Sequence, residues 1–171
     1  LLAALRQQPD CETHLVMTQS AKITWAQESA RPLAELTALA DYCHDDGNVA
    51  AIIASGSFVT AGMVVLPCSM KTLSAVANGY AAGLLTRAAD VCLKEGRKVV
   101  LCPREMPLGK IHLKNMLQAA DLGCAILPPM LTFCNNSQSL AAQVDHVTGK
   151  ILMQFGLEHA AFRPWQGGGH V

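Results

Sequence analysis

Short apolar runs alternate along the chain with longer segments whose apolar residues have helical spacing. The short runs predict strands at 12–17, 50–53, 62–66, 98–102 and 124–127. The longer segments predict helices at 21–28, 32–40, 84–95, 110–121 and 139–155, and a further helix that ends at Ala77. A polar loop is predicted at 43–48. Because strands alternate with helices, the pattern predicts an α/β fold with a mainly parallel sheet.

The most informative stretch runs through the helix at 84–95, the Gly stop at Gly96 and the buried strand at 98–102. Arg87 and Lys94 are two helical turns apart and therefore share a face. Arg104 and Glu105 come directly after the strand, where open α/β sheets bind ligands. A surface salt bridge on a stiff turn between two prolines is the equally acceptable alternative.

A second strand also ends at polar residues that begin a helix. Ser69 and Thr72 follow the strand at 62–66, a position that suits phosphate binding at a helix N-terminus. Ordinary helix capping by Ser69 explains the same pattern equally well. Cys68 is interpreted as a packed thiol rather than a nucleophile, because no His stands near it in sequence.

The last predicted helix is capped by Ser139 and has a continuous apolar face. That face is predicted to lie in the core and consists of Leu140, Val144, Val147, Ile151 and Phe155. Lys150 lies near it and is explained as a solvated charge.

Composition limits the classes of function. The 171 residues are 51% hydrophobic and 15% charged, with 13 basic and 13 acidic residues. This predicts one domain, at 1–165, with a flexible tail at 166–171, and much surface buried against other copies. Zero net charge gives no support for nucleic acid, and no apolar run is long enough to span a membrane. Seven cysteines without a CxxC pattern predict reduced thiols in a cytoplasmic protein, with no metal site.

The chain opens on a helical composition, Leu1 to Arg6, without a capping residue or an initiator Met. We expect that it begins inside a helix and that an upstream segment is missing.

Four motifs resemble the flavin prenyltransferase family, whose members were earlier described as subunits of aromatic acid decarboxylases. They are PCSMKTL at 67–73, LLTRAADVCLKEGRKVVLCPREMPL at 84–108, HLKNML at 112–117 and the loop that begins with two prolines at 128–134. The similarity extends from about Glu12 to Trp165.

The resemblance implies a flavodoxin-like doubly wound domain with helices on both faces of the sheet, here without the family's first strand and phosphate loop. It implies a homododecamer that joins the dimethylallyl group of dimethylallyl monophosphate to reduced FMN without a metal. Prenylated FMN would then serve a partner decarboxylase that acts on aromatic or α,β-unsaturated acids.

The resemblance also assigns roles to individual residues of this chain. The catalytic residues it implies are Glu105, Glu28, Lys94 and Arg87. The FMN-binding residues it implies are Thr18, Ser69, Met70, Lys71, Thr72 and Arg104. The substrate-binding residues it implies are Cys134, Lys150, Lys94 and Arg104.

Three departures from the family pattern affect these expectations. Cys134 stands where a Tyr is usual and Lys150 where an Arg is usual, so we expect weaker binding of the substrate phosphate. The absent Gly-Ala-Ser/Thr-Gly loop predicts weak FMN binding.

Two other functions compete with flavin prenylation. One is a related flavoprotein that decarboxylates a cysteine-containing peptide or pantothenate derivative, but the segment from Pro103 to Met116 lacks its Asn motif. The other is a non-catalytic flavin carrier or assembly subunit of a decarboxylase.

Overall fold

The structure is a computed structural model that describes residues 1–133 and 136–163. The strands are β1 His14–Met17, β2 Tyr42–Asp45, β3 Gly62–Cys68, β4 Lys98–Pro103 and β5 Ala125–Ile126. The helices are α1 Leu2–Leu5, α2 Gln19–Glu28, α3 Leu33–Thr37, α4 Met70–Ala77, α5 Leu84–Lys94, α6 Lys110–Asp121 and α7 Leu140–Met153. A short 3₁₀ helix, Ile52–Ala54, lies between β2 and β3.

The parallel strands form two groups. β1 pairs with β2, and β3, β4 and β5 form a three-stranded sheet with β4 in the centre. The carboxyl ends of the strands therefore point the same way within each group, and the loops that follow them meet at one edge. We call this the carboxyl edge.

Both faces of the larger sheet are covered by helices. Val99 and Leu101 of β4 pack in a cluster with residues of α4, α5 and α6. Val100 and Cys102 point to the opposite face, where Ile151 of α7 joins them. The consecutive apolar residues from Val99 to Cys102 are required here, because alternating side chains meet a helical layer on each side. The flavodoxin-like doubly wound fold is confirmed.

Several element predictions are confirmed, including α6 at the bounds that the pattern gave. β3 extends beyond the predicted 62–66 to Cys68, and Gly96 follows α5 with a φ of 66°, a conformation that glycine adopts without strain.

Other element predictions are wrong. The predicted polar loop at 43–48 contains most of β2, because pairing with β1 places these polar residues in a strand despite their weak strand propensity. The predicted strand at 50–53 contains the start of the 3₁₀ helix instead. The helix predicted at 32–40 spans only Leu33–Thr37. The apolar face of α7 is buried in its C-terminal half only: Ile151 is fully buried, but Leu140 is 75% exposed.

The described residues contain no helix that is both long enough and apolar enough to cross a membrane.

Candidate functional site

A cleft of about 560 Å³ opens between α4, the loop that follows it and the first turn of α5. Its walls contain three of the residues that were predicted to bind FMN, Thr18, Lys71 and Thr72. Further wall residues were not predicted, among them Asp46, Tyr80, Gly83 and Thr86. The volume lies within the range typical of small-molecule sites, about 300–1,000 Å³.

The start of α4 is built by its own hydroxyl groups. The Ser69 side chain accepts a hydrogen bond from the Thr72 N–H at 3.2 Å, and its hydroxyl donates to the Thr72 Oγ1 at 3.1 Å. Capping by Ser69 is thus confirmed. The N–H groups of Met70 and Lys71 have no acceptor inside the helix, since they belong to its first turn. Together with the Lys71 ammonium they give this end of the cleft the chemistry of an anion site.

Met70 was also predicted to bind FMN, but it is not among the wall residues of the cleft. Its side chain packs against the buried cluster beneath α4. Its main-chain N–H, in the first turn of α4, is the group that it offers to an anion there.

Thr18 has the same role at α2 that Ser69 has at α4. Its Oγ1 accepts a hydrogen bond from the Ala21 N–H at 3.1 Å. Because Thr18 directly follows β1, this cap fixes its hydroxyl at the carboxyl edge, in the wall of the cleft.

Among the wall residues that sequence reasoning missed, Asp46 has a clear structural role. Its main-chain carbonyl accepts from the Leu84 N–H at 2.7 Å, and its carboxylate accepts from the Leu85 N–H at 2.9 Å. It thereby caps α5, which begins after Gly83 without a side-chain cap of its own. A Cβ on Gly83 would lie 2.9 Å from the Asp46 carboxylate, so glycine is needed for this close approach. One feature of the sequence could have indicated this role: Gly83, rather than Ser, Thr, Asn or Asp, precedes α5, so its first turn has no local side-chain cap.

Arg104 and Glu105 lie at the end of β4, as predicted, and both are exposed. The Arg104 N–H contacts the Cys68 carbonyl at 3.4 Å, which ties this turn to the end of β3. The Glu105 carboxylate accepts from the Met106 N–H at 3.1 Å. The described part of the chain has no ion pair between Arg104 and Glu105, so the guanidinium and the carboxylate can each address a ligand.

Arg87 is engaged with its own chain. It forms an ion pair with Asp90 at 3.0 Å, and its Nε donates to the Ala54 carbonyl at 3.3 Å. Arg97 extends this pattern, because its guanidinium donates to the Phe58 carbonyl at 2.8 Å and to the Gly56 carbonyl at 2.5 Å. The two arginines hold the loop at 54–58 along α5.

The remaining predicted residues lie further from the carboxyl edge. Lys94, in the last turn of α5, lines a second cleft of about 520 Å³, which shares Thr86 with the first. Glu28 ends α2, which begins beside Thr18 and is 10 residues long. Its backbone is thus about 15 Å from that start. Lys150 is exposed in the last turn of α7.

The structure therefore brings Thr18, Lys71 and Thr72 together at one cleft. It does not bring Glu28 or Lys150 to that cleft within one chain. Cys134 lies outside the described residues, as do Trp165 and the tail at 166–171. The catalytic and binding roles of these residues stay predictions.

Burial makes the thiols at the ends of β3 and β4 unreactive. Desolvation raises the pKa of Cys68 to about 12, and the thiols of Cys102 and Cys124 add to this shift. Desolvation also raises the pKa of Cys102 to about 12. A thiolate nucleophile at Cys68 is therefore excluded near neutral pH.

The chain was compared with known proteins. The family model described as Flavoprotein matches residues 1–156. A protein of Sedimentibacter hydroxybenzoicus named "Probable UbiX-like flavin prenyltransferase" is 58% identical over 167 residues, which cover 98% of this chain and 88% of that protein.

Two solved structures have the same fold at high sequence identity. A dodecameric FMN-dependent Ubix-like decarboxylase from Escherichia coli O157:H7 has a TM-score of 0.94 and 54% identity, over 97% of this chain and 90% of that one. AnUbiX in complex with FMN and dimethylallyl pyrophosphate has a TM-score of 0.94 and 43% identity, over 98% of this chain and 89% of that one. The match in sequence and fold extends over nearly the whole chain, and the chain therefore belongs to the flavoprotein family and, within it, to the UbiX-like flavin prenyltransferases.

Proposed function

We propose that this chain transfers the dimethylallyl group of dimethylallyl monophosphate to reduced FMN and releases phosphate. The cleft at the carboxyl edge carries this proposal, because hydroxyl groups, free helix N–H groups and a lysine converge there. The relative from Sedimentibacter hydroxybenzoicus, named a flavin prenyltransferase, supports the reaction. The AnUbiX complex supports the pair of ligands, since it holds FMN and dimethylallyl pyrophosphate.

The residues of the cleft fit FMN. Thr18, Lys71 and Thr72 offer hydroxyl groups and a positive charge to the phosphate and the polar edge of a flavin. Reduced FMN, when bound, supplies the nucleophile that accepts the dimethylallyl group. The chain itself must hold the flavin and the allylic phosphate in contact, which lowers the entropic part of the barrier.

Breaking the allylic C–O bond leaves its electron pair on the phosphate, whose charge rises as it departs. We assign the stabilisation of this charge to Arg104 and Arg87, because a guanidinium donates two parallel hydrogen bonds to phosphate. Arg104 is exposed at the carboxyl edge and free of an ion pair with Glu105 in the described chain. Arg87 must exchange its contact with Asp90 for the phosphate.

Closing a further ring on the flavin requires proton transfers. We assign these to Glu105, whose carboxylate is exposed beside Arg104 and is oriented by the Met106 N–H. Lys94, Lys150, Glu28 and Cys134 stay proposed members of the site, and the reaction as written uses no metal.

We further propose that the chain works as a homododecamer and supplies prenylated FMN to a decarboxylase. The dodecameric relative from Escherichia coli O157:H7 supports the assembly. We place the protein in the cytoplasm, because the six described cysteines are free thiols. We also propose that 1–165 forms one flavin-binding domain.

The test is the mass of the flavin after anaerobic incubation of the protein with reduced FMN and dimethylallyl monophosphate. We expect a gain of one five-carbon unit. Glu105→Gln should slow this gain while flavin still binds, and Asp10→Asn, a similar change on an exposed turn, should not. Flavin that binds but never gains mass would favour the carrier function and refute prenyl transfer.

A further inference from the structure

The cleft at the carboxyl edge extends along the whole of α4. Its walls follow this helix from Lys71 in the first turn to Asn78 and Tyr80, which come directly after the last turn. α4 has eight residues and is therefore about 12 Å long. A ligand that fills the cleft can thus contact groups at both ends of the helix at once.

The two ends of the cleft differ in their chemistry. The start of α4 offers main-chain N–H groups and the Lys71 ammonium, which suit an anion. The far end has Tyr80, the one aromatic side chain among the described wall residues. Tyr80 is 69% exposed, so a large ring surface lies open in a cleft whose other walls are mostly small or polar. An open aromatic ring is a favourable partner for a second flat ring.

The C-terminal cap of α4 fixes the main chain that carries this ring. The Tyr80 N–H donates to the Ala75 carbonyl at 2.8 Å. The Gly79 N–H donates to the Val76 carbonyl at 3.2 Å. These two bonds form a Schellman motif, and Gly79 has the left-handed conformation that the motif requires, with a φ of 66°. The position of Tyr80 is therefore set by the fold, which lowers the entropic cost of binding a ligand against it.

We propose that the Tyr80 ring stacks on the isoalloxazine ring of FMN, while the FMN phosphate lies at the start of α4. FMN is divided in the same way as the cleft, because its ribityl chain separates a charged phosphate from a flat aromatic ring. The polar side chains between the two ends suit the hydroxyl groups of that chain; they are Thr72, Ser74 and Asn78. This inference rests on the proposed function, since it orients the flavin of that reaction.

Binding of FMN and of riboflavin, which lacks the phosphate, tests the two ends of the cleft separately. Tyr80→Ala should weaken the binding of both flavins about tenfold, because both lose the stacked ring. Lys71→Ala should weaken the binding of FMN but not of riboflavin. Tyr42→Ala is the matched control and should leave both affinities unchanged, because Tyr42 is the other tyrosine of the chain, is 50% exposed and begins β2, at the end of the strand opposite to the carboxyl edge.

The fluorescence of the bound flavin tests the stacking itself. A tyrosine ring in contact with an excited flavin quenches its fluorescence by reversible electron transfer, whereas phenylalanine is a much weaker electron donor. Tyr80→Phe should therefore bind FMN within about twofold of the wild-type affinity but leave the bound flavin brighter. Tyr42→Phe should leave it as dim as in the wild-type protein.

Circular dichroism shows whether each variant is folded. If Tyr80→Ala does not fold, the comparison of Tyr80→Phe with Tyr42→Phe decides the question. Wild-type affinity and wild-type fluorescence in the folded Tyr80 variants would overturn the proposal, as would a wild-type protein that binds neither flavin. The flavin-mass assay tests the reaction separately, because FMN that stacks on Tyr80 and never gains a five-carbon unit refutes prenyl transfer alone.

Discussion

Asp46 connects the end of β2 to the start of α5, and Asp46→Ala tests this connection. The substitution removes the carboxylate that accepts the Leu85 N–H at 2.9 Å, but it keeps the main-chain carbonyl that accepts the Leu84 N–H. One N–H at the helix start then loses its acceptor. The variant thus isolates what the Asp46 side chain contributes.

The expected loss follows from two effects at this helix start. Removal of a capping side chain costs about 1 kcal/mol of the free energy of unfolding. Loss of a negative charge at the positive end of the helix dipole costs about 0.5 kcal/mol more. A domain of this size loses about 2–4 °C of Tm per kcal/mol, so we expect a fall of about 5 °C.

Thermal unfolding followed by circular dichroism measures this change. Asp46→Asn keeps an acceptor oxygen but loses the charge, so its Tm should fall by about a third as much. Asp10→Ala is the control on an exposed turn. If Asp46→Ala unfolds at the same temperature as Asp10→Ala, the capping argument is wrong.

Three further predictions concern packing, thiol reactivity and pH. Gly62→Ala should lower the free energy of unfolding by about 3 kcal/mol in urea titrations, because its φ is 144° and a Cβ would lie 2.1 Å from a main-chain oxygen of β4; a loss below about 1 kcal/mol would contradict this. An alkylating reagent at pH 8 should modify the exposed Cys43 of the native protein but not Cys68 or Cys102, whose pKa values of about 12 keep their thiols protonated. Mass spectrometry of the labelled peptides shows which cysteines were modified. Desolvation and the neighbouring His14 imidazole lower the pKa of His44 from its ordinary value of 6.5. The unfolded state therefore binds more protons, and the free energy of unfolding falls as the pH drops through 6.5. His44→Asn should flatten that part of the Tm–pH curve, and an unchanged slope would refute the assignment.

The sequence alone determined the layers of the fold. Val99 to Cys102 are consecutive apolar residues, as expected of a strand covered on both faces, so the pattern predicted a mainly parallel sheet with this strand in its interior. The doubly wound arrangement was implied by the resemblance to the family. The start of α4 at Ser69 and the stop of α5 at Gly96 were likewise predicted, because capping chemistry is local and depends on a few adjacent residues. The local pattern also marked Ser69 and Thr72 as a candidate phosphate site, whereas Thr18 and Lys71 were assigned to FMN by the resemblance to the family.

Tertiary structure decided the rest, because it depends on contacts between residues far apart in sequence. β2 became a strand because β1 lies beside it, whatever the polarity of its residues. Asp46 caps a helix that begins 38 residues later, a relation that no local pattern contains. The face of α7 has uniform periodicity, yet Ile151 is buried and Leu140 is exposed, since periodicity marks an apolar face without marking where the sheet beneath it ends.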